Sequence, residues 1–323
     1  MIIVTGGAGF IGSNLVHGLN EKGYEDIILV DDLTDGHKIH NISDARILDY
    51  WDIRDFGQFI AEDEDLPGKI DLIFHQGACT TTTEWNGQYM MLNNYEYSKK
   101  VLHYCAQKKI SLIYASSGSV YGTNENFSEE IENEHPVNVY AYSKLLFDNY
   151  VRRHAGKFSS QITGLRYFNV YGPGEQHKGE MASIVWHLNR QLINTGTVRL
   201  FKGSNGYSDG EQRRDFVYVD DVVSVNIWCM ENNVSGLFNV GTGMSRSFND
   251  VANTVIRYHG RGNIEYIDFP EHLRGCYQGY TEADLTRLKK AGYPCRFNQL
   301  ETGISKYLDW LDSCPTGNGT RPG

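Results

Sequence analysis

Met1-Ile-Ile-Val-Thr-Gly-Gly-Ala-Gly-Phe-Ile-Gly12 opens the chain, and its reading decides the fold. Met1 to Val4 is an apolar run of strand length, and it passes directly into Gly6, Gly9 and Gly12, spaced three apart. A strand that must turn sharply into a helix needs a residue without Cβ at the turn. A second glycine lets the backbone approach an anion, and a third lets the helix pack closely on the strand; the helix N-terminus then offers free amides and a favourable dipole. The helix is expected from Phe10 to about Lys22. A second strand, Ile27 to Val30, ends at Asp31, nineteen residues after Gly12. That is near the offset at which a carboxylate meets the ribose of a dinucleotide.

Further along, apolar runs alternate with helical patterns. Strands are expected at Arg46 to Asp49, Leu72 to His75, Leu112 to Ala115 and Ile162 to Phe168, with helices at Gln88 to Gln107 and Tyr140 to His154, the latter capped by Asn138. Such alternation implies an α/β, doubly wound parallel Rossmann sheet, with ligands beyond the carboxyl ends of its strands. Gly77, Ala78, Ser116 and Ser117 fall at such ends. After Phe168 the pattern loosens; a helix is expected from about Ala182 to Leu192, and Asp215 to Val219 and Leu237 to Gly241 read as strands flanking another helix. Residues 1–170 plus about 213–241 are assigned to the dinucleotide-binding domain, about 171–212 plus 242–312 to a smaller C-terminal substrate lobe, and 313–323 to a disordered tail.

Composition narrows the function. The 323 residues carry a formal net charge of −10, which opposes broad contact with nucleic acid or anionic lipid. No apolar run reaches the length of a membrane span and the first residues do not read as a secretory signal. Six scattered cysteines without C-x-x-C spacing point away from a metal site and towards a reducing, cytoplasmic setting. Chemistry enters at Tyr140 and Lys144, four apart on the expected helix and therefore on one face. A neighbouring cation favours phenolate, so Tyr140 is read as a proton shuttle whose pKa Lys144 lowers. Ser117, closing its strand, adds a hydroxyl beside that phenol.

The glycine turn, Ser117, Val120-Tyr-Gly122, Tyr140-x-x-x-Lys144 and Arg166-Tyr-Phe-Asn-Val-Tyr-Gly-Pro173 together resemble the extended short-chain dehydrogenase/reductases that act on nucleotide sugars. Gly77 to Trp85, Tyr89-Met-Met91, His177-Lys-Gly179, Met181-Ala-Ser183 and Arg214 to Val219 make the resemblance closest to the epimerases of ADP-heptoses. It implies oxidation and re-reduction of one sugar carbon by a tightly held NADP, NAD being the alternative, with Tyr140 and Lys178 as the two proton carriers, Lys144 and Ser117 assisting, and a homo-oligomer. The cofactor positions it implies are Gly6, Gly9, Phe10, Ile11, Gly12, Asp31, Asp32, Lys38, Ile53, Gln76, Gly77, Ala78, Cys79, Thr80, Asn93, Lys144, Val170 and Lys178. The substrate positions are Ser117, Asn169, Glu180, His187, Phe201, Lys202, Gly203, Ser204, Arg214 and Tyr277. Asp32 and Ile53 depart from the family's usual Asn and Lys. They leave Lys38, with Arg54, to hold a 2′-phosphate. A UDP-hexose 4-epimerase is the runner-up, and a non-catalytic dinucleotide sensor the reading from another class. Ser117-Gly-Ser119 argues against a sugar 4,6-dehydratase.

Overall fold

The computed structural model describes residues 1–64, 66, 68–204, 206–270 and 278–314, so the expectation for Tyr277 lies outside the described residues. Its first half follows β1 (Ile2–Thr5), α1 (Phe10–Glu21), β2 (Ile27–Asp31), β3 (Asp49–Asp52), α2 (Ile53–Ala61), β4 (Leu72–His75), α3 (Gly87–Met91), α4 (Tyr97–Lys108), β5 (Ser111–Ser117), α5 (Val139–His154) and β6 (Ile162–Tyr167). There follow β7 (Asn169–Tyr171), α6 (Ile184–Thr195), β8 (Thr197–Phe201), β9 (Arg213–Arg214), β10 (Phe216–Tyr218), α7 (Val219–Glu231) and β11 (Gly236–Val240). The chain continues through β12 (Arg246–Ser247), α8 (Phe248–His259), β13 (Asn263–Ile267), α9 (Thr286–Lys290) and α10 (Leu300–Ser313).

Seven strands form one parallel sheet in the order β11-β6-β5-β4-β1-β2-β3. Chain progression reverses between β1 and β4, so the loops after these two strands meet. A Cβ on Gly6 would lie 2.5 Å from the Gly77 nitrogen. This is the crevice in which open α/β sheets take their ligands. β1, β2 and β4 are buried along their whole length, as strands covered on both faces must be. Leu15 and Leu19 of α1 and Val223 and Ile227 of α7 share the core on one face. Phe56, Val101 and Phe147 fill the other. A second core gathers Trp186, Leu188, Phe216, Val251, Ile304 and Tyr307 beyond the sheet, and Phe10, the first residue of α1, packs into it. The glycine turn is thereby fastened to both cores.

Four expectations are corrected. The strand read at Arg46 to Asp49 lies three residues later, at Asp49–Asp52, because the register sets Ile28 against Asp49. As a half-exposed edge strand it needs no apolar run. The helix read from Gln88 to Gln107 contains a π-helical turn at Leu92–Glu96 between α3 and α4. Of the two later strands, only β11 joins the main sheet; β10 pairs with β7, outside it. At the far end Ser313 closes α10 and Cys314 is buried, so these two tail residues belong to the folded part. Among the described residues no helix is long and apolar enough to cross a membrane.

Behind β5 and β6, Arg166 is fully buried and ion-pairs with Glu134 and Asp148, while Asp148 also accepts from Ser116 Oγ at 2.9 Å and Tyr114 at 3.1 Å. Truncation would leave the buried Asp148 carboxylate without its cation, while Glu134 keeps Arg152. Arg166→Met is therefore expected to lower unfolding free energy by about 3–5 kcal/mol. A denaturant titration showing a loss below about 1 kcal/mol would contradict this, since that is no more than a surface pair contributes.

Candidate active site

The turn from β1 into α1 is shaped by contacts that only glycine permits. Gly6 has φ +68°, and a Cβ on Gly12 would come within 2.0 Å of the Gly6 carbonyl oxygen. Gly9 caps α1 without a side-chain hydrogen bond, leaving the first-turn amides to face the loop. These residues fit a bound diphosphate. Asp31, 5% exposed, does more than was expected of it. Its carboxylate accepts from the amides of Ala8 (2.7 Å), Gly9 (3.1 Å) and Asp32 (2.7 Å), and from Lys38 Nζ (3.0 Å). It clasps the glycine turn, which the sequence reading did not anticipate. Lys38 also donates to the Asp32 carbonyl at 2.7 Å. Hydrogen bonds from Thr34 hold the Asp32 carboxyl below its ordinary value. Ile53 begins α2, and Arg54 beside it pairs with Asp52.

A cleft of about 450 Å³ opens where β4, β5, β6 and β7 end. Of the expected positions, Phe10, Ile11, Gln76, Ala78, Thr80, Ser117, Tyr140, Lys144, Asn169, Val170, Lys178 and Glu180 line it. Asn138 caps α5 by accepting from the Ala141 amide at 2.8 Å, which starts the helix one residue before Tyr140. Tyr140 and Lys144 therefore leave α5 on the cleft side, while Tyr142 is half exposed. Strand alternation sends the two serines apart: Ser116 bonds Asp148 behind the sheet, whereas Ser117 reaches Tyr140 and accepts from Ser119 N at 3.2 Å and Ser119 Oγ at 2.9 Å. Lys178 comes from beyond the main sheet, on the short helical segment Gln176–Met181, its Nζ 5.4 Å from the Phe10 ring centroid.

The electrostatics differ from the expected pairing of phenol and ammonium. Burial raises the Tyr140 phenol, and the Ser117 hydrogen bond offsets only part of that. Lys144 Nζ donates to the Ala115 carbonyl at 3.0 Å, and burial, opposed by Asp148, lowers its pKa to about 8. Desolvation thus dominates both groups. Burial also lowers the Lys178 ammonium, against the pull of Glu175. His75, behind the glycine turn, is brought down to about 3 by burial and stays neutral between Thr5 and Ser98.

Some expected positions lie outside this cleft. Gly77 and Cys79 belong to the loop after β4, with the Cys79 amide bound to Asn94 at 2.8 Å, and Asn93 sits in the π turn, donating to the Tyr89 carbonyl. His187 lies near the Glu180 carbonyl (3.3 Å). Phe201 meets Phe269 edge-on, and Lys202 pairs with Asp268 at 2.7 Å; Lys202, Gly203 and Ser204 line a separate, open concavity. Arg214 lies over the Phe248 ring at 5.6 Å. Sequence reading missed cleft residues from the second lobe, among them Phe248, Gln278 and Thr281, which nothing in their local pattern marks. Ser119 was legible, two residues from Ser117 on the same loop. Asn41 was missed as well; its amide nitrogen bonds both the Ala8 carbonyl (3.0 Å) in the glycine turn and the Gly174 carbonyl (3.1 Å) leading to Lys178, contacts with no local signal.

A dinucleotide turn opening on a Ser/Tyr/Lys cleft at the strand ends defines a class, and residues 2–241 match the NAD dependent epimerase/dehydratase family, to which the chain belongs. It is 57% identical over 316 residues, 98% of each chain, to the ADP-L-glycero-D-manno-heptose-6-epimerase of Alkalilimnicola ehrlichii. Among solved structures, that of the Helicobacter pylori ADP-L-glycero-D-manno-heptose-6-epimerase superposes with a TM-score of 0.84 at 32% identity, covering 97% of this chain and 96% of that one. The Thermotoga maritima UDP-glucose 4-epimerase, solved with UDP-glucose, gives 0.80 at 27% identity over 96% and 98%.

Proposed function

We propose that the protein interconverts ADP-D-glycero-β-D-manno-heptose and its L-glycero epimer at C6, in the cytoplasm, as a step towards lipopolysaccharide inner-core precursors. The observation that carries this is one cleft holding both Tyr140 and Lys178, delivered by different lobes, in a chain more than half identical to an enzyme named for that reaction. Inversion of a carbinol through a ketone requires a proton to leave the hydroxyl of one epimer and another to reach the oxygen of the other. The bound dinucleotide supplies hydride acceptance and return at the same carbon. Tyr140 serves one proton transfer and Lys178 the other. Ser117, already bonded to the phenol, holds the sugar oxygen beside it. Lys144, anchored on Ala115, presents its ammonium next to the nicotinamide ribose and keeps positive charge near Tyr140. Arg214 is assigned to the sugar-nucleotide diphosphate, because a guanidinium meets such oxygens in pairs.

The dinucleotide is proposed to be NADP, with Lys38 and Arg54 the cations nearest its 2′-phosphate. Asp32 and Asp52 oppose that charge, so the proposal is open to a direct check. Cofactor released by denaturing the purified protein is expected to show the mass of NADP; NAD alone would overturn this part. For the reaction, proton NMR of ADP-D-glycero-D-manno-heptose with the protein and no added cofactor should show the L-glycero epimer accumulate. Turnover of UDP-galactose instead would establish the runner-up. Lys178→Met is expected to lower epimerisation by about 10²–10⁴-fold, the usual contribution of a positioned proton carrier, with cofactor still bound. Full activity of that variant would remove Lys178 from the mechanism.

A further inference from the structure

Lys178 rides on residues 172–183, a stretch held by an acid that the reaction as described does not use. Glu175 is fully buried. Its backbone carbonyl accepts the Lys178 amide at 2.9 Å. Its carboxylate accepts from Gly172 N at 3.4 Å, from Ser183 N at 2.5 Å and from Ser183 Oγ at 2.7 Å. One side chain thus grips both ends of the stretch with Lys178 between them. All three donors are neutral, so the charge they surround is not cancelled where it sits. A carboxylate buried without a salt-bridged cation is costly to retain for packing alone.

We propose that Glu175 is a positioning residue for Lys178: its carboxylate closes residues 172–183 on themselves and supplies the negative charge that keeps the Lys178 ammonium protonated. Its link to turnover rests on the reading of Lys178 as the second proton carrier.

The surroundings support a single dominant partner. Burial lowers Lys178, and Glu175 is the charged group that opposes it. Reciprocally, burial raises Glu175 and Lys178 draws it down. His177, next along the chain, is lowered by burial and by Lys38 and Lys178, so near neutral pH it adds no positive charge. From α1 the group facing Lys178 is the uncharged Phe10 ring. Thr82, likewise uncharged, reaches Met181 Sδ. Glu180, on the segment itself, is exposed; Tyr140 and Lys144 line the same cleft from α5. From α10, Tyr307 stands beside the carboxylate, its phenol pushed well above the ordinary value by burial and by that charge. It donates no positive charge either.

The test is Glu175→Gln in the full-length protein as purified. A carboxamide of the same volume can accept from the Ser183 amide and donate to Ser183 Oγ, so the Ser183 end of the bracket survives while the charge and the bond from the Gly172 amide are lost. Without the charge, protonated Lys178 loses its partner and the ammonium deprotonates at lower pH. Acetylation of Lys178 by acetic anhydride, followed by peptide mass spectrometry across pH 6 to 10, is expected to be faster below its midpoint by about tenfold, one pH unit of displacement. The pH limb of kcat that moves with Lys178 should shift the same way in both reaction directions, with KM within about twofold. Glu175→Asp keeps the charge and should restore the acetylation midpoint. Ser183→Ala, which weakens the bracket but not the charge, should leave that midpoint in place.

Three results overturn the proposal: an unmoved midpoint in Glu175→Gln, an equal displacement in Ser183→Ala, or failure of Glu175→Gln to fold. If the midpoint moves while the pH profile of turnover does not, Glu175 still governs Lys178, and the assignment of Lys178 as a proton carrier is what fails.

Discussion

Tyr140→Phe is expected to fold, to retain its dinucleotide and to lose epimerisation by about 10²–10⁴-fold, because it deletes only the oxygen proposed to move one of the two protons. The ring would still pack at the start of α5, Asn138 would still cap the helix, and Lys144 would still be held on Ala115. The one hydrogen bond removed is that with Ser117, which keeps its contacts to Ser119. Burial holds the phenol above its ordinary value, so a positive charge brought near it favours loss of its proton. Lys144 provides that charge only while protonated. With its pKa lowered to about 8, wild-type kcat should decline as pH rises through that region, unlike a reaction limited by an ordinary lysine. Measuring kcat and cofactor content of the phenylalanine variant decides the matter; activity within tenfold of wild type would exclude Tyr140 as a proton carrier.

Gly12→Ala should be nearly as damaging by a different route. Its added methyl would meet the Gly6 carbonyl at 2.0 Å and the Gly7 Cα at 3.0 Å, both backbone. Backbone cannot rotate away as a side chain does, so the turn itself must move. Gly6 is hemmed in by Gly77 on the other side, and Ala8 and Gly9 are tied to Asp31. Overpacking of this kind costs typically about 1–3 kcal/mol, and tenfold in affinity corresponds to about 1.4 kcal/mol. The purified variant is expected to carry dinucleotide at least about tenfold more weakly and to be inactive without added cofactor. Full cofactor content after extensive dialysis would show that the turn has more room than the structure gives it.

Much of the first lobe was legible because the signals there are local. A strand buried on both faces is apolar along most of its length, so Ile2–Thr5, Ile27–Asp31 and Leu72–His75, each apolar up to a polar last residue, announce themselves. β3 did not, since an edge strand pairs through its backbone and Asp-Tyr-Trp-Asp, only partly buried, offers no continuous apolar run. The π turn after α3 was equally hidden; it depends on Asn94 bonding both the Cys79 amide and the Cys79 carbonyl, a contact across fifteen residues. For the site, spacing together with the glycine turn pointed to Tyr140 and Lys144, and both line the cleft. Lys178 came only through the family resemblance, because a lysine in a glycine-rich loop carries no periodicity. The second-lobe wall of Phe248, Gln278 and Thr281 is assembled by tertiary packing and has no local signature. The direction of the Tyr140 shift was misread for a related reason: spacing shows which charge is near but not how much water has been removed.

Asn41 gives the two ends of the active site a shared hinge pin. Since one carboxamide bonds both the glycine turn and the loop leading to Lys178, a substitution at Asn41 bears on both at once.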